Sequence, residues 1–455
     1  MRKPTPGALM AILIFLGVLM FTEIVQASEY MVATWGNDSS GNGRVTTPWK
    51  TIQFAVDQLQ SGDILLVEEG DYRGFVVRRS GTVQAPITIK AKGGGVNIVT
   101  DSGTGDDPEE RITVNNSNYV IIDGFNVPGD HTSGNGIGAH GATVSKPMQG
   151  IVFRNNTVHD VGSGNTYGNT CIYVSNANGA IVENNTVYNC GEHGVYIANA
   201  GAKNSIVRGN RIYDTGTNGI HANGDKSIGG DGLLTGLVFS DNIIYGVGQN
   251  AINMDGVQDS LISNNLLYRN DKHGVAGYQI DGAAGPQNIT IVNNTIDDNN
   301  DWAVRFSEDK GGHIIFNNIL LSQLGSIRSN SSSAASTYLA DYNISSNRYS
   351  TDGGGTVRSL DNWQSLTSQD MHSFIGTASQ LFTNAGNGDY TLKDGVVAID
   401  SGIASLGGVA APGVSINGVN RPAGLAYDVG AYEWGTGLVN PLPAPTGLKV
   451  WIVPE

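Results

Sequence analysis

Chemistry-bearing residues recur along this chain at spacings that bring them together only if its segments stack. Six short runs alternate apolar and polar residues with a period of two: CIYVSNA from Cys171, GVYIANA from Gly194, GIHANGD from Gly219, AINMDGV from Ala251, GVAGYQI from Gly274 and AVRFSED from Ala303. If Ile172, Val195, Ile220, Ile252, Val275 and Val304 point inward, the following residues point outward: Tyr173, Tyr196, His221, Asn253, Ala276 and Arg305. Two positions further on lie Ser175, Ala198, Asn223, Asp255, Tyr278 and Ser307, and the earlier run GIGAHG adds His140 to this second row. Stacked about 5 Å apart, His221, Asp255, Tyr278 and Arg305 become neighbours. Flanking turns add Asp225, Lys272, His273, Asp281 and Glu308.

These residue types suit work on an acidic sugar polymer. Eliminative cleavage of a uronan removes the proton at C5, beside a carboxylate, so a site must neutralise that carboxylate and supply a base. Arg305, His221 or a bound Ca²⁺ serves the first need, and Lys272, His273 or Tyr278 the second. Calcium takes several oxygen ligands, and Asp225, Asp231, Asp255 and Asp281, with Asp259, are the available carboxylates. Tyr173 and Tyr196 offer apolar ring faces to sugars, with His140 and Asn253 as further substrate contacts. The insertion NGDKSIGGDGLLTG from Asn223 is placed to wall one side of a groove. Hydrolysis instead requires two facing carboxylates, for which Asp255 with Asp281 or Glu308 is the available pair. The same face on a non-catalytic carbohydrate-binding or cell-surface protein is the third reading, because exposed His, Asp and Tyr are ordinary on a solvated sheet.

The elements that must hold these rows are visible as an internal repeat. IVFRNNTVHDVG from Ile151, IVENNTVYNCG from Ile181, IVRGNRIYDTG from Ile206, LVFSDNIIYGVG from Leu237, LISNNLLYRND from Leu261, ITIVNNTIDDNN from Ile289 and IIFNNILLSQ from Ile314 match one another. The shared Asn falls at Asn156, Asn185, Asn210, Asn242, Asn265, Asn294 and Asn318, spaced by 29, 25, 32, 23, 29 and 24 residues. VIIDGFNV from Val120 is an earlier copy with Phe125 in the Asn slot. Such a period, without helical patterning or a leucine-rich signature, predicts an all-β solenoid, a right-handed parallel β-helix. A buried Asn on each rung is then satisfied by the Asn above and below and by backbone at a bend. That role outweighs the glycosylation sequons that NNS at 115, NNT at 155, 184 and 293, and NIT at 288 also spell.

A solenoid needs covers on its open ends. TIQFAVDQL places Ile52, Ala55, Val56 and Leu59 on one helical face, a short N-terminal capping helix. The expected organisation is a signal peptide over 1–27, a β-helix over 28–435 with its cap at about 28–75, core coils at about 76–321 and irregular coils to 435, then a Pro-rich tail over 436–455. Arg2 and Lys3, the apolar stretch from Gly7 to Phe21 and the Val25-Gln26-Ala27 site carry the signal-peptide reading, hence secretion without stable membrane insertion. The net charge of −15 disfavours nucleic acid and anionic lipid, and a polyanionic substrate would need local cations or metal. The acidic run GTGDDPEE at 103–110 is read as solvated. Cys171 and Cys190 are either bridged or two buried thiols. A monomer is expected.

The opening EYMVATWGNDSSGNGRVTTPWKTIQFAVDQLQSGDILLVEEGDYRG resembles the N-terminal signature of secreted β-helix proteins related to polysaccharide lyases, including the family 9 pectate lyases. YTLKDGVVAIDSG with DVGAYEW is similar to the closing segment of such proteins. The resemblance implies the fold across nearly all of the chain after the signal segment. It also implies carbohydrate chemistry, in family 9 through an Asp-rich calcium site and a Lys base, a motif onto which the residues here are not placed one by one. The Asn-Thr-Asp, Gly-His-Gly and Arg-Ile-Lys motifs of β-helical polygalacturonases and the Asp-Pro-His of alginate epimerases are absent, and the Asp-Asp pairs at 106–107 and 297–298 stand without them, which ranks hydrolysis below elimination.

Overall fold

A computed structural model describes residues 27–103, 110–129, 134–162 and 169–435. The predicted signal segment up to residue 26, the acidic loop at 104–109 and the tail from 436 lie outside the described residues.

Each repeat makes one turn of a coil with three short strands, and equivalent strands of successive turns pair in parallel. Among the described residues this builds three long parallel sheets of twelve, eleven and twelve strands. The first includes Val152–Arg154, Ile181–Glu183 and Ile206–Arg208. The second, the polar-row sheet, includes Ile172–Ser175, Val195–Ala198, Ile220–Asn223 and Ile252–Asp255. The third includes Thr157–Val161, Thr186–Cys190 and Arg211–Tyr213. The inward side chains, such as Val174, Ile197, Ala222, Val207 and Ile212, are fully buried and form one continuous core. Its driving force is apolar area removed from water rung by rung.

The tight bend between the first and third sheets explains the Asn pairs. The first residue of each pair takes a left-handed backbone, with φ of 56° at Asn155 and Asn184 and 57° at Asn264, a region that Asn tolerates better than other side chains. The second residue turns inward. Asn185, for instance, donates from Nδ2 to the Phe153 carbonyl at 3.0 Å and to Asn210 Oδ1 at 3.0 Å, while its own Oδ1 accepts from the backbone and side-chain amides of Asn156. The ladder runs unbroken from Asn156 to Asn318 and one rung further, to Asn343, which donates to Asp370 Oδ1 at 2.9 Å. At its other end Phe125, in the Asn slot, gives only its backbone N–H to Asn156 Oδ1.

The capping helix is present as α1, Ile52–Val56, N-capped by Thr51, and Ile52, Ala55, Val56 and Leu59 are all buried over the first coil. At the far end Trp363, fully buried, stacks on Tyr349 with centroids 5.0 Å apart and closes the core. The segment after residue 381 folds back along the outside of the coils. Asn293 donates to the Asp428 and Gly430 carbonyls, and the buried Arg421–Glu433 pair also engages Asn264. Cys171 and Cys190 form a disulfide that ties the start of a polar-row strand to the end of the third-sheet strand of the next coil.

Candidate functional site

Strand register fixes both rows of the polar sheet. Gly138, Tyr173, Tyr196, His221, Asn253, Ala276, Arg305 and Arg328 occupy one line of paired positions. His140, Ser175, Ala198, Asn223, Asp255 and Tyr278 occupy the other. At about 4.8 Å per rung the two rows run roughly 34 Å from His140 to Arg328.

The centre is a chain of contacts across three rungs. Asn253 Nδ2 donates to His221 Nδ1 at 2.9 Å and to Tyr278 Oη at 2.7 Å, and its Oδ1 accepts from Asn250 at 2.8 Å. With both amide hydrogens so used, His221 Nδ1 is an acceptor and Nε2 carries the ring proton. Burial pushes the His221 imidazole down to about 4, so it stays neutral and offers Nε2–H. Burial pushes the Tyr278 phenol up to about 12, opposed by the Asn253 hydrogen bond and the Arg305 charge. Because Tyr278 Oη already accepts from Asn253, its own hydrogen is free for another acceptor. Tyr196 packs on His221 at 4.6 Å between centroids, His193 lies 4.6 Å from the same ring, and Tyr173 meets Tyr196 edge-on at 5.4 Å.

Arg305 lies over the Tyr278 ring at 5.8 Å, and Arg328 follows on the next rung. Burial, and then its like-charged neighbour Arg328, pulls the Arg305 guanidinium below its ordinary range. His273, behind them, is held down to about 3 by burial and by the Arg305, Arg328 and Lys272 charges. Its Nδ1 accepts the Trp302 backbone N–H at 3.2 Å, so this lone pair is committed to structure. Lys272 stands exposed at the adjoining turn.

At the other end, His140 Nε2 bonds Glu110 Oε1 at 2.8 Å. The fully buried Glu110 carboxylate also accepts from Asn135 at 2.8 Å and from Thr113 at 3.1 Å. A Cβ on Gly138 would lie 2.0 Å from Glu110 Oε2, so the missing side chain there makes the space that the carboxylate fills. Sequence reading found His140 but took Glu110 as the end of a solvated acidic run; it is instead fully buried, one rung earlier and off the strand pattern.

The aspartates are dispersed. Asp255 is buried, and its two oxygens accept backbone N–H groups of Ile280, Asp281 and Gly282 at 2.8 to 3.1 Å. Burial nevertheless raises its pKa. Asp231 pairs with Lys203 at 2.5 Å, and Asp225 caps the turn at Ser227. Asp281 is exposed and reached by Asn223 at 3.3 Å. Among the described residues no three His, Cys, Asp or Glu side chains are grouped to hold a metal ion. The donor set does not fit calcium, which needs several free oxygens around one point. Asp255, with both oxygens committed, is equally unsuited to face a second carboxylate. The insertion after Asn223 walls a different hollow: Ile228 to Asp231, with Thr143 to Pro147, Ala200 and Gly201, bound a cavity of about 490 Å³ that no residue of either row lines.

A second aromatic line occupies the third sheet. His159, Tyr188, Tyr213, Tyr245 and Tyr268 stack face to face at 4.8 to 5.1 Å. Their faces are consumed by one another, leaving ring edges outward and no platform for a sugar face.

A family model described as a right handed beta helix region matches residues 89–230. No curated protein matches the sequence. Among solved structures, pectate lyase Pel9A superposes with a TM-score of 0.59 at 17% identity, covering 91% of this chain and 98% of its own. The native GH136 lacto-N-biosidase from Eubacterium ramulus gives 0.50 at 13% identity over 70% of this chain and 63% of its own. At such identities the likeness is one of fold. Strand topology, the matched region and these superpositions together make the chain a right-handed parallel β-helix protein that resembles polysaccharide lyases.

Proposed function

We propose that the protein is a secreted carbohydrate-active β-helix that cleaves a uronate-containing polysaccharide by β-elimination, without a metal-dependent step. The observation that carries this reading is the contact chain His221–Asn253–Tyr278–Arg305, which gathers a neutral donor, a phenol and a guanidinium on one face. Arg305 holds and neutralises the uronate carboxylate, and His221 Nε2–H, three rungs away in the same row, donates to the polymer further along. The Tyr278 phenolate takes the C5 proton, the released electron pair forms the C4–C5 double bond, and the C4–O4 bond breaks with its pair on O4. Tyr278 then returns the proton to O4 and is a phenolate again. One group serving as base and then acid is consistent with the commitment of His273 and Asp255 to structural bonds. Like the resemblance, the disulfide is consistent with an oxidising, extracytoplasmic location.

The test is incubation with pectate, alginate and glycosaminoglycans, each with and without a chelator, followed by detection of unsaturated uronate ends. Unsaturated product that persists in chelator supports the proposal, and its absence from every uronan refutes it. Binding without product would instead support the carbohydrate-binding reading.

A further inference from the structure

The charges along the polar sheet are segregated. Glu110 and Glu192 flank the rungs of His140, Tyr173 and Tyr196, where Glu192 lies 3.5 Å from His193. Asp225 and Asp281 border the rungs of His221 to Tyr278 on the insertion side. Beyond them the sign reverses, with Lys272, Arg305 and Arg328 together in a chain whose net charge is −15. Arg305 Nε and Arg328 Nε are both buried without a hydrogen-bond partner. The nearest acids, Asp301 and Glu308, each accept a backbone N–H, from Trp302 at 3.0 Å and from Gln279 at 3.4 Å, and offset part of the Arg305 charge. Two like charges on adjacent rungs repel, and unpaired buried donors are costly. An anionic ligand group between the two guanidinium heads relieves the repulsion, while the buried Nε atoms stay out of its reach.

Resting on the elimination reading, we infer that the groove takes a heteropolysaccharide, with a uronate carboxylate clamped between Arg305 and Arg328 and uncharged sugars over Tyr196 and Tyr173. Four rungs separate Tyr196 from Arg305, roughly 19 Å, so the two regions contact different residues of one polymer. A carboxylate on every residue would place negative charge beside Glu110 and Glu192, where the rows offer only His140 in compensation. Arg328 is thereby a specificity-determining residue. Gly353 and Gly354 lie against its guanidinium, where a Cβ would come within 3.4 to 3.7 Å of it.

The experiment compares the full chain and its Arg328→Gln and Arg328→Lys variants on three polymers: a homouronan, a polymer alternating uronate with neutral sugar, and a neutral polymer. Turnover is read from unsaturated ends and binding from affinity electrophoresis. The expected result is a kcat/KM for the alternating polymer at least about tenfold above that for the homouronan. Arg328→Gln should raise KM about tenfold or more, and Arg328→Lys should restore part of the loss. Equal or better turnover of the homouronan overturns the inference while leaving β-elimination standing, as does an unchanged KM in Arg328→Gln. Binding of the alternating polymer without product sinks the elimination reading alone, with Arg328 then judged from affinity. No binding and no product on any polymer sinks both.

Discussion

Replacing Asn242 by Ala tests the account of the amide ladder. Asn242 is fully buried. Its Oδ1 accepts from the Asn210 backbone N–H and from Asn210 Nδ2, both at 3.0 Å, and its Nδ2 donates to the Val207 carbonyl at 2.9 Å and to Asn265 Oδ1 at 3.0 Å. Alanine removes all four bonds, but the groups left behind are not equally harmed. Asn210 Nδ2 keeps the Val182 and Arg208 carbonyls, and Asn265 Oδ1 keeps the backbone N–H of residue 242. The Asn210 backbone N–H loses its partner outright, a cost of about 1–3 kcal/mol, and the other three bonds contribute about 0.5–1.5 kcal/mol each. A loss of about 2.5–7.5 kcal/mol follows, read as a lower urea midpoint at unchanged slope. Asn184→Ala is the control, because Asn184 is exposed at the left-handed turn and its replacement costs about 1 kcal/mol of backbone strain. If Asn242→Ala costs no more than Asn184→Ala, the ladder is decoration and the argument fails.

Three further outcomes are expected. Tyr278→Phe should lower kcat by about 10²–10⁴, and the unaltered chain should gain activity about tenfold per pH unit toward the phenol's value of about 12; a flat profile would refute the phenolate step. His221 and His273 are held down to about 4 and about 3 in the folded chain, so between those values and the ordinary 6.5 the unfolded chain binds more protons. Stability should therefore rise with pH through that window and be lost on acidification, against the weaker opposite pull of Asp297 and Asp428, both raised to about 6. Converting both histidines to Asn should reduce the slope of urea midpoint against pH, with the remainder coming from His193 and His313, which burial also holds down. Replacing both disulfide cysteines by Ala removes a bridge between residues 19 apart and should cost about 3 kcal/mol in the same assay; a loss below about 1 kcal/mol would mean that the coil is already held by its ladders.

The sequence placed His221, Asn253, Tyr278 and Arg305 on one face because strand alternation has a period of two and the repeat sets the register between coils. Those two periodicities determine where a side chain starts. They do not determine where it ends. Asp255 sits in its expected row, yet its carboxylate is turned to the amides of residues 280–282, because a loop with no repeat counterpart folds over it. Four aspartates close in number proved separate for the same reason: three lie on turns, whose lengths vary from coil to coil. Arg328 was legible in principle, since Ile327 pairs with Val304 exactly as Val304 pairs with Val275, but the Asn signature fades there and the Ser-rich helix Ser332–Ala335 interrupts the next coil. Glu110 gave no strand signal at all. Its only trace was Gly138, an empty outward slot in a row of large side chains, and in a solenoid such a gap marks where a neighbouring rung must reach across. Reading vacancies as well as residues along a row is therefore the step that would have recovered the Glu110–His140 pair before the structure was known.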